Sequence, residues 1–168
     1  MPDIRKTLYD LLDKAGIKHT THEHEAIFTV EQGAHIKAQL PGGHTKNLFL
    51  KDKSGALFLV CALGDTKIQI NQLHKHLDCK RLSFGKPDLM AETLGVAPGS
   101  VTFFAIMNDK KNCVKLVIDQ ALLDHKFVNF HPLENTATTA IAASDMQVFA
   151  KATEHTPIIL DFAAIATG

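Results

Sequence analysis

A lysine and an asparagine, Lys46 and Asn47, stand where a glycine-rich turn at residues 41–43 runs into an apolar stretch of the chain. Because side chains alternate across a strand, Lys46 is expected to share one face with Leu48 and Leu50. An ammonium among apolar neighbours loses hydration, and it can transfer protons or act as a fixed cation for developing negative charge. The local sequence favours equally an alternative in which Lys46 extends its ammonium into water.

A second candidate is the turn around Gly99 and Ser100, within the sequence Gly-Val-Ala-Pro-Gly-Ser-Val at residues 95–101. Pro-Gly is typical of a type II turn, and glycine lets main-chain amides approach a ligand closely. Such amides could hold a carbonyl oxygen or a phosphate. The commoner meaning of this sequence is a plain connecting turn.

A third candidate is His131, which ends a β-rich stretch and precedes Pro132. The proline restricts the direction of the chain at this point. His131 could donate a hydrogen bond or shuttle protons, and the alternative is a strand-end histidine bonded to the main chain. The residue alone does not decide between these interpretations.

Composition limits the class of protein. The chain has 168 residues and 45% hydrophobic content, which predicts one domain over residues 1–168 with a substantial core. Its 18 basic and 18 acidic residues balance, so any contact with nucleic acid must be local. No apolar run is long enough to cross a bilayer, and residues 1–14 do not have the pattern of a signal peptide. We therefore expect a cytoplasmic protein without membrane contact.

Neither the cysteines nor the histidines predict a metal site or a disulfide. Cys61 lies within an apolar run, so we expect it to be buried, and the three cysteines are widely spaced. Ten histidines include the close pair His22 and His24, yet none of their spacings is that of a zinc site. We expect no metal and no cofactor.

These candidates must be positioned by an alternation of short helices and strands. Apolar residues at helical spacing predict a first helix from Ile4 that ends at Gly16. Further helices are predicted at residues 30–35, 71–77, 87–94, 119–123 and 144–150, the last capped by Ser144. Strands are predicted at residues 19–24, 47–51, 56–62, 114–118, 126–129, 136–142 and 158–161. The fold class is α+β, a single domain with a mixed, mostly antiparallel sheet and flanking short helices.

Four segments, in their order and spacing, resemble the bacterial prolyl-tRNA editing domain family. They are residues 45–50, residues 63–67, residues 95–101 and residues 130–138. The chain is most similar to the free-standing, trans-editing members that deacylate alanyl-tRNA carrying the proline anticodon. The resemblance extends from about Tyr9 to Phe162, essentially the whole chain.

The resemblance implies hydrolysis of the ester that joins an amino acid to the terminal ribose of a mischarged tRNA. Lys46, Asn47 and His131 match the residues of the family's site. Lys46 and the amides near Gly99 and Ser100 would stabilise the oxyanion or orient the substrate. The free ribose hydroxyl would deprotonate the attacking water, and Lys46 as the general base is the rival assignment. Asn47 and His131 would position the terminal nucleotide.

Selection of alanine implies a small apolar pocket. Its candidate walls, which are equally explicable as core, are Ile27, Phe28, Val30 and Leu63. Lys51 and Arg81 lie near the matched segments and could meet the acceptor end of the tRNA, although a solvated surface charge is the commoner role of either. Partners would be the mischarged tRNA and, transiently, prolyl-tRNA synthetase or an elongation factor, with the protein acting as a monomer.

One residue departs from the family pattern, because Phe103 follows Thr102 where relatives tend to have a proline. Phe103 lacks the φ restriction of proline, which leaves the loop geometry and the fine substrate preference open. Three other activities stay open at this point. They are a deacylase of cysteinyl- or seryl-tRNA, a non-catalytic tRNA-binding regulator on the same fold, and a metal hydrolase.

Overall fold

A mixed sheet of eight strands organises the part of the chain that the structure, a computed structural model, describes: residues 4–26, 34, 40 and 42–167. The strands are β1 (His19–Glu23), β2 (Gly43–Asp52), β3 (Leu57–Leu63), β4 (Leu82–Phe84), β5 (Val114–Asp119), β6 (Phe127–Phe130), β7 (Ala137–Ala142) and β8 (Ile158–Leu160). Five α-helices occur within the same residues: α1 (Ile4–Lys14), α2 (Ile70–Leu77), α3 (Pro87–Leu94), α4 (Asp145–Ala152) and α5 (Phe162–Thr167). Two 3₁₀ helices, Phe103–Asn108 and Gln120–Asp124, complete the described elements.

The strand order is β1-β7-β6-β2-β3-β5-β8, with β4 also paired to β2. The pairs β1–β7, β7–β6, β2–β3 and β2–β4 are antiparallel, whereas β6–β2, β3–β5 and β5–β8 are parallel. The mixed, mostly antiparallel sheet with short helices confirms the predicted fold class. No helix among residues 4–26 and 42–167 has the length and apolar character needed to cross a membrane.

The two faces of the sheet bury two separate apolar clusters. The larger one contains Phe49 and Cys61 and is covered by α1, α3, α4 and both 3₁₀ helices. The smaller one contains Leu50 and is covered by α2 and α5, with Leu48 packed against it. Leu48 and Leu50 therefore share a buried face, which confirms the alternation predicted for β2. Burial raises the pKa of the Cys61 thiol, consistent with its predicted role as a small apolar side chain.

Most predicted elements occur within two residues of their expected bounds, but β4, the 3₁₀ helix Phe103–Asn108 and α5 were not predicted, and two further details differ. The predicted β2 began at Asn47, but the strand begins at Gly43, because Gly43 pairs with Val128 of the parallel strand β6. Ser144 precedes α4 in a helical conformation and makes no capping hydrogen bond through its side chain, so the predicted cap is wrong. The predicted short helix at residues 30–35 falls largely outside the described residues.

Phe103, the departure from the family pattern, begins a 3₁₀ helix and is fully buried. Its ring lies 5.1 Å from that of Phe130 and 5.2 Å from that of Phe149, measured between ring centroids. Thr102 caps this helix by accepting a hydrogen bond from the amide of Phe104. The Phe103 ring is thus packed in the larger core, and it anchors the C-terminal end of the segment that carries Gly99.

Candidate active site

One edge of β2 is left open between two neighbouring strands. β6 pairs with this edge at Gly43 and His44, and β4 pairs with it from Leu50 onward. Between these points, residues 45–48 have no strand partner on this side among the described residues, while β3 pairs with them on the other side. We call this interruption the sheet opening. Because it cuts through the sheet, side chains from both faces of β2 can reach it.

A cavity of about 220 Å³ occupies this position. Its lining residues are Thr45, Lys46, Asn47, Gly99, Val101 and His131. Four residues singled out from the sequence, Lys46, Asn47, Gly99 and His131, therefore meet in one place although up to 85 sequence positions separate them. The cavity combines a cation, a side-chain amide, an imidazole and a turn glycine in a small space.

Lys46 is half-buried, and its Nζ donates a hydrogen bond to the main-chain carbonyl oxygen of Thr66. The hydroxyl of Thr66 in turn donates to Oδ2 of Asp119 over 2.6 Å. Asp119 is only 2% exposed and also accepts hydrogen bonds from the amides of Leu63 and Ala121. A buried carboxylate thus fixes the loop after β3, and this loop orients the lysine.

Asn47 carries a buried polar atom that is not satisfied within the described residues. Its Oδ1 has no hydrogen-bond partner, and its Nδ2 reaches only the Thr45 hydroxyl at 3.5 Å. That hydroxyl donates its hydrogen to the carbonyl oxygen of Asn129 in β6 at 2.7 Å, so it has none to donate to Oδ1 of Asn47. A buried acceptor without a donor costs about 1–3 kcal/mol, which makes Asn47 the side chain in the cavity that most needs a donor.

His131 follows β6 directly and has one ring nitrogen engaged. Its Nδ1 lies 3.2 Å from the carbonyl oxygen of Ala137, so the neutral ring donates from Nδ1 and keeps Nε2 as an acceptor. Burial lowers the pKa of His131, the hydrogen bond to Ala137 raises it, and the nearby His24 lowers it, with a net decrease. His131 is therefore a neutral hydrogen-bond acceptor at pH 7.

The turn at residues 97–100 places Gly99 at the cavity, but only one of the two main-chain amides predicted to bind a ligand, those of Gly99 and Ser100, lacks a hydrogen bond among the described residues. Gly99 has φ +90°, and the Ser100 amide donates to the carbonyl oxygen of Ala97 over 3.0 Å, as in the expected type II turn. Ser100 is not among the cavity's lining residues, whereas Val101 is. Of the two amides, that of Gly99 makes no hydrogen bond among the described residues and is the one left for a ligand.

The remaining predicted residues lie elsewhere. Leu63 pairs with Thr45 across β2 and β3 and packs on the larger core, but it does not line the cavity. Lys51 and Arg81 are exposed near β4, beyond the far end of the sheet opening. Three predicted pocket walls, Ile27, Phe28 and Val30, lie outside the described residues.

An arginine that the sequence did not single out holds the segment after His131. Arg5 on α1 donates from Nε to Oε2 of Glu134 at 2.6 Å and from a terminal nitrogen to the Thr136 hydroxyl at 2.8 Å. It also forms an ion pair with Glu23 of β1. Nothing in the local sequence of Arg5 indicates these partners, because Glu134 and Thr136 lie about 130 positions away.

Histidines elsewhere are used as hydrogen-bonding groups. His24 lies with Nε2 2.8 Å from the Thr138 hydroxyl, and the buried His155 has Nε2 2.9 Å from Oδ2 of Asp109. Within the described ranges, no three His, Cys, Asp or Glu side chains are grouped so that they could hold a metal ion.

Known proteins resemble this chain over most of its length. The family profile described as aminoacyl-tRNA editing domain matches residues 24–149. Prolyl-tRNA synthetase associated domain-containing protein 1 of Danio rerio is 38% identical over 162 residues, which cover 95% of this chain and 88% of that protein. The prolyl-tRNA editing protein ProX of Acetoanaerobium sticklandii is 31% identical over 155 residues, covering 92% and 94%. Similar proteins therefore occur in animals as well as in bacteria.

A solved structure of a proposed trans-editing enzyme for prolyl-tRNA synthetase has the same fold. It superposes with a TM-score of 0.72 and covers 96% of this chain and 97% of its own. At 16% sequence identity, this similarity concerns the path of the chain alone.

Proposed function

The chain belongs to the aminoacyl-tRNA editing domain family, and on that premise we propose that it is a trans-editing hydrolase whose substrate is alanyl-tRNA of the proline type. The observation that carries the proposal is the cavity where Lys46, Asn47, Gly99 and His131 meet. An ester being hydrolysed develops negative charge on its carbonyl oxygen, and this cavity offers a cation and a main-chain amide for it. Residues 1–168 would act as one editing domain, supported by a core that joins α1 to α4.

In the proposed reaction, water attacks the carbonyl carbon of the ester. The bond from that carbon to the ribose oxygen breaks, the ribose oxygen takes up a proton, and the amino acid leaves with a free carboxyl group. Lys46 has three N–H donors and gives one to Thr66, so the others can meet the carbonyl oxygen. A donor in this position contributes about 3–4 kcal/mol to lowering the barrier.

The proton of the attacking water would pass to the free hydroxyl of the substrate's own terminal ribose, and this hydroxyl would in turn give its own proton to the neighbouring ribose oxygen that leaves. His131 fits the role of positioning that ribose, because its Nε2 can accept a hydrogen bond from a hydroxyl. Asn47 fits the recognition of a donor such as the α-ammonium group of the amino acid, which would satisfy its buried oxygen. The protein's own side chains thus cover charge stabilisation and positioning, and we propose that no metal takes part.

The preference for alanine would follow from the size of the cavity. Its volume of about 220 Å³ is below the range of about 300–1,000 Å³ that is usual for larger ligands. A small acyl group can enter, while the adenosine stays at the rim. Each additional methylene that must be accommodated costs about 1–3 kcal/mol in discrimination, which is enough to disfavour proline. Cysteine and serine esters are the competing substrates, because their side chains are also small.

We also propose transient contact with prolyl-tRNA synthetase, since the Danio rerio relative is named for an association with that synthetase. A protein that acts on tRNA after its release has to intercept it before the ribosome, and an elongation factor is the other candidate partner. Editing in trans requires no second copy of the chain, so a monomer suffices.

The test is a deacylation panel with alanyl-, cysteinyl-, seryl- and prolyl-tRNA, measured with and without EDTA. We expect alanine release from tRNA of the proline type, unaffected by EDTA, and a loss of about 10²–10³-fold in kcat for Lys46→Ala. Lys67→Ala is the matched control, because Lys67 is exposed one residue beyond Thr66. The proposal fails if every ester survives as long as in buffer, or if both lysine variants behave alike.

A further inference from the structure

The loop between β6 and β7, residues 131–136, carries His131 and is gripped by a cation from the first helix. We call this segment the histidine loop. Arg5 on α1 donates from Nε to Oε2 of Glu134 at 2.6 Å and from a terminal nitrogen to the Thr136 hydroxyl at 2.8 Å. Only 16% of the Arg5 side chain is exposed. Arg5 precedes residue 24, where the match to the family profile begins, so this contact comes from outside the matched region.

The histidine loop contains a residue in an unfavourable main-chain conformation. Leu133 has φ +72°, in the left-handed region that residues with a side chain rarely adopt. Its side chain is 4% exposed and belongs to the larger core cluster. Such a conformation persists only where the surrounding contacts hold it. The core holds Leu133 itself, and Arg5 holds the loop from Glu134 to Thr136.

The end of the histidine loop determines how the imidazole of His131 is oriented. Ala137 follows Thr136 directly, and its carbonyl oxygen is the acceptor 3.2 Å from Nδ1 of His131. In a neutral imidazole, the hydrogen bond made by one ring nitrogen decides which nitrogen carries the proton. A displacement of the main chain at Thr136 and Ala137 would therefore change both the direction and the tautomer of His131.

Arginine suits this place because one guanidinium bridges two segments that each carry a carboxylate. Glu23 lies at the end of β1, opposite Ala137 in the strand register, and forms an ion pair with Arg5. Glu134 lies in the histidine loop on the same guanidinium. A lysine has a single compact charge and lacks the planar fork of donors that meets several partners at once. Removal of the cation would leave two like charges close together, which favours separation of the loop from β1.

We propose that Arg5 is a positioning residue: by fixing Glu134 and Thr136, it keeps the Ala137 carbonyl oxygen on Nδ1 of His131 and leaves Nε2 as the acceptor for the ribose. This inference rests on the proposed function for the role of His131. Arg5 does not line the cavity, so it acts through the histidine loop and not on the substrate. Helix α1 is then a part of the catalytic assembly as well as a cover for the core.

The first experiment reads the tautomer of His131 by ¹⁵N NMR of the histidine rings at neutral pH, with the His131 signals assigned from their loss in His131→Gln. Protonated and unprotonated nitrogens of a neutral imidazole differ widely in chemical shift. We expect the proton on Nδ1 in the wild type and a mixture of both tautomers in Arg5→Gln. Lys6→Gln is the matched control, because it removes an exposed ion pair with Asp10 from the same helix. A variant Arg5→Gln with the wild-type tautomer would overturn the proposal.

The second experiment measures kcat/KM for alanyl-tRNA in Arg5→Gln, in His131→Gln and in the double variant. We expect Arg5→Gln alone to lower kcat/KM about tenfold, because small displacements of a positioning group have large effects on rate. In the presence of His131→Gln it should cause no further loss, since residues that act through one another are not additive. Two independent losses that multiply in the double variant would show that Arg5 supports the fold in general, and this would overturn the proposal.

Thr136→Val and Thr136→Ser keep the test valid if Arg5→Gln folds poorly. Serine keeps the hydroxyl that Arg5 binds, whereas valine replaces it with a methyl group. We expect the altered tautomer and the loss of kcat/KM for valine alone, with urea unfolding to establish that both variants are folded under the assay conditions. Equal behaviour of the two variants would contradict the role of this hydrogen bond.

The NMR measurement needs no turnover, so it separates this proposal from the proposed function. If the protein hydrolyses no ester and Arg5→Gln still changes the tautomer of His131, the positioning of His131 stands and the catalytic proposal falls. If the protein hydrolyses alanyl-tRNA and neither the tautomer nor the coupling to His131 depends on Arg5, the reverse holds.

Discussion

The carbonyl oxygen of Thr66 accepts a hydrogen bond from the Nζ of Lys46, so the position of the lysine depends on a loop 20 residues further along the chain. The same threonine is held through its hydroxyl by the buried Asp119. A rigid acceptor restricts the rotamers of a long side chain and leaves its remaining donors in a defined direction. Positioning of the cation is thus shared between the strand that bears it and the loop that meets it.

Thr66→Val tests this dependence. Removing the hydroxyl leaves Asp119 without one donor and loosens the carbonyl that orients Lys46, so we expect kcat to fall about tenfold with little change in KM. The free energy of unfolding should fall by about 1–3 kcal/mol. Thr66→Ser keeps the hydroxyl and serves as the control in steady-state kinetics and urea unfolding. Equal losses of kcat in both variants would indicate that the hydroxyl plays no part.

Lys46→Arg distinguishes an electrostatic lysine from a general base. Arginine keeps the charge but remains protonated in proteins, so it cannot accept a proton. If the lysine stabilises the oxyanion, we expect kcat to fall only about tenfold, against 10²–10³-fold for Lys46→Ala. Single-turnover deacylation across the pH range is the measurement. An arginine variant as inactive as the alanine variant would favour the general-base assignment.

The acid side of the pH profile should report on His131. Because its pKa lies below the usual 6.5, the ring is neutral at pH 7 and becomes protonated only at lower pH. Protonation removes the Nε2 acceptor, so kcat/KM should decline as the pH falls through that lowered pKa. The folded state should also lose stability as the pH falls below 6.5, since the unfolded chain binds this proton more readily.

His131→Gln is the corresponding variant. Glutamine lacks the imidazole that we propose to position the ribose, so kcat/KM should be lower at pH 7. Because glutamine does not titrate, the decline of kcat/KM at acid pH that the wild type shows should be absent. Should the limb persist unchanged in this variant, a group other than His131 would be responsible for it.

Asp52 is expected to make the stability of the folded protein fall at acid pH. Burial raises the pKa of Asp52, but hydrogen bonds from Ser54, Lys80 and Ala56 lower it, with a net decrease from 3.8 to about 2. A carboxylate with a lowered pKa stabilises the folded state above its unfolded pKa, and that contribution is lost as the pH falls from about 4 towards 2. Thermal unfolding of wild type and Asp52→Asn over this range is the measurement. The variant should have a lower Tm than the wild type at pH 4, and its Tm should fall less as the pH is lowered. Tm curves that run parallel against pH would contradict this role of Asp52.

The sequence predicts the elements of this fold better than the contacts between them. Residues 70–77 and 87–94 form helices close to their predicted bounds because apolar spacing and Pro87 are local signals. The start of β2 at Gly43 could not be predicted, since it depends on a parallel strand 85 residues away.

The candidate site shows the same division. Lys46, Asn47, Gly99 and His131 could be chosen from residue type and from family resemblance, and they do meet in one cavity. The roles of Thr66, Asp119 and Arg5 depend on the folded geometry, and no local pattern marks them. The Ser100 amide is likewise unavailable to a ligand because it donates to the Ala97 carbonyl oxygen within the turn, and only the folded structure shows this bond.

The sheet opening also bears on self-association. A strand edge without a partner is a template for pairing with another chain, and such edges lead to aggregation unless they are protected. Here the unpaired stretch is short, it is closed by β6 at one end and β4 at the other, and it carries the charge of Lys46. A lysine at a strand edge opposes the docking of a foreign strand. Lys46, which we propose as the cation that stabilises the oxyanion, therefore also helps to keep this unpaired stretch of β2 from pairing with a neighbouring molecule.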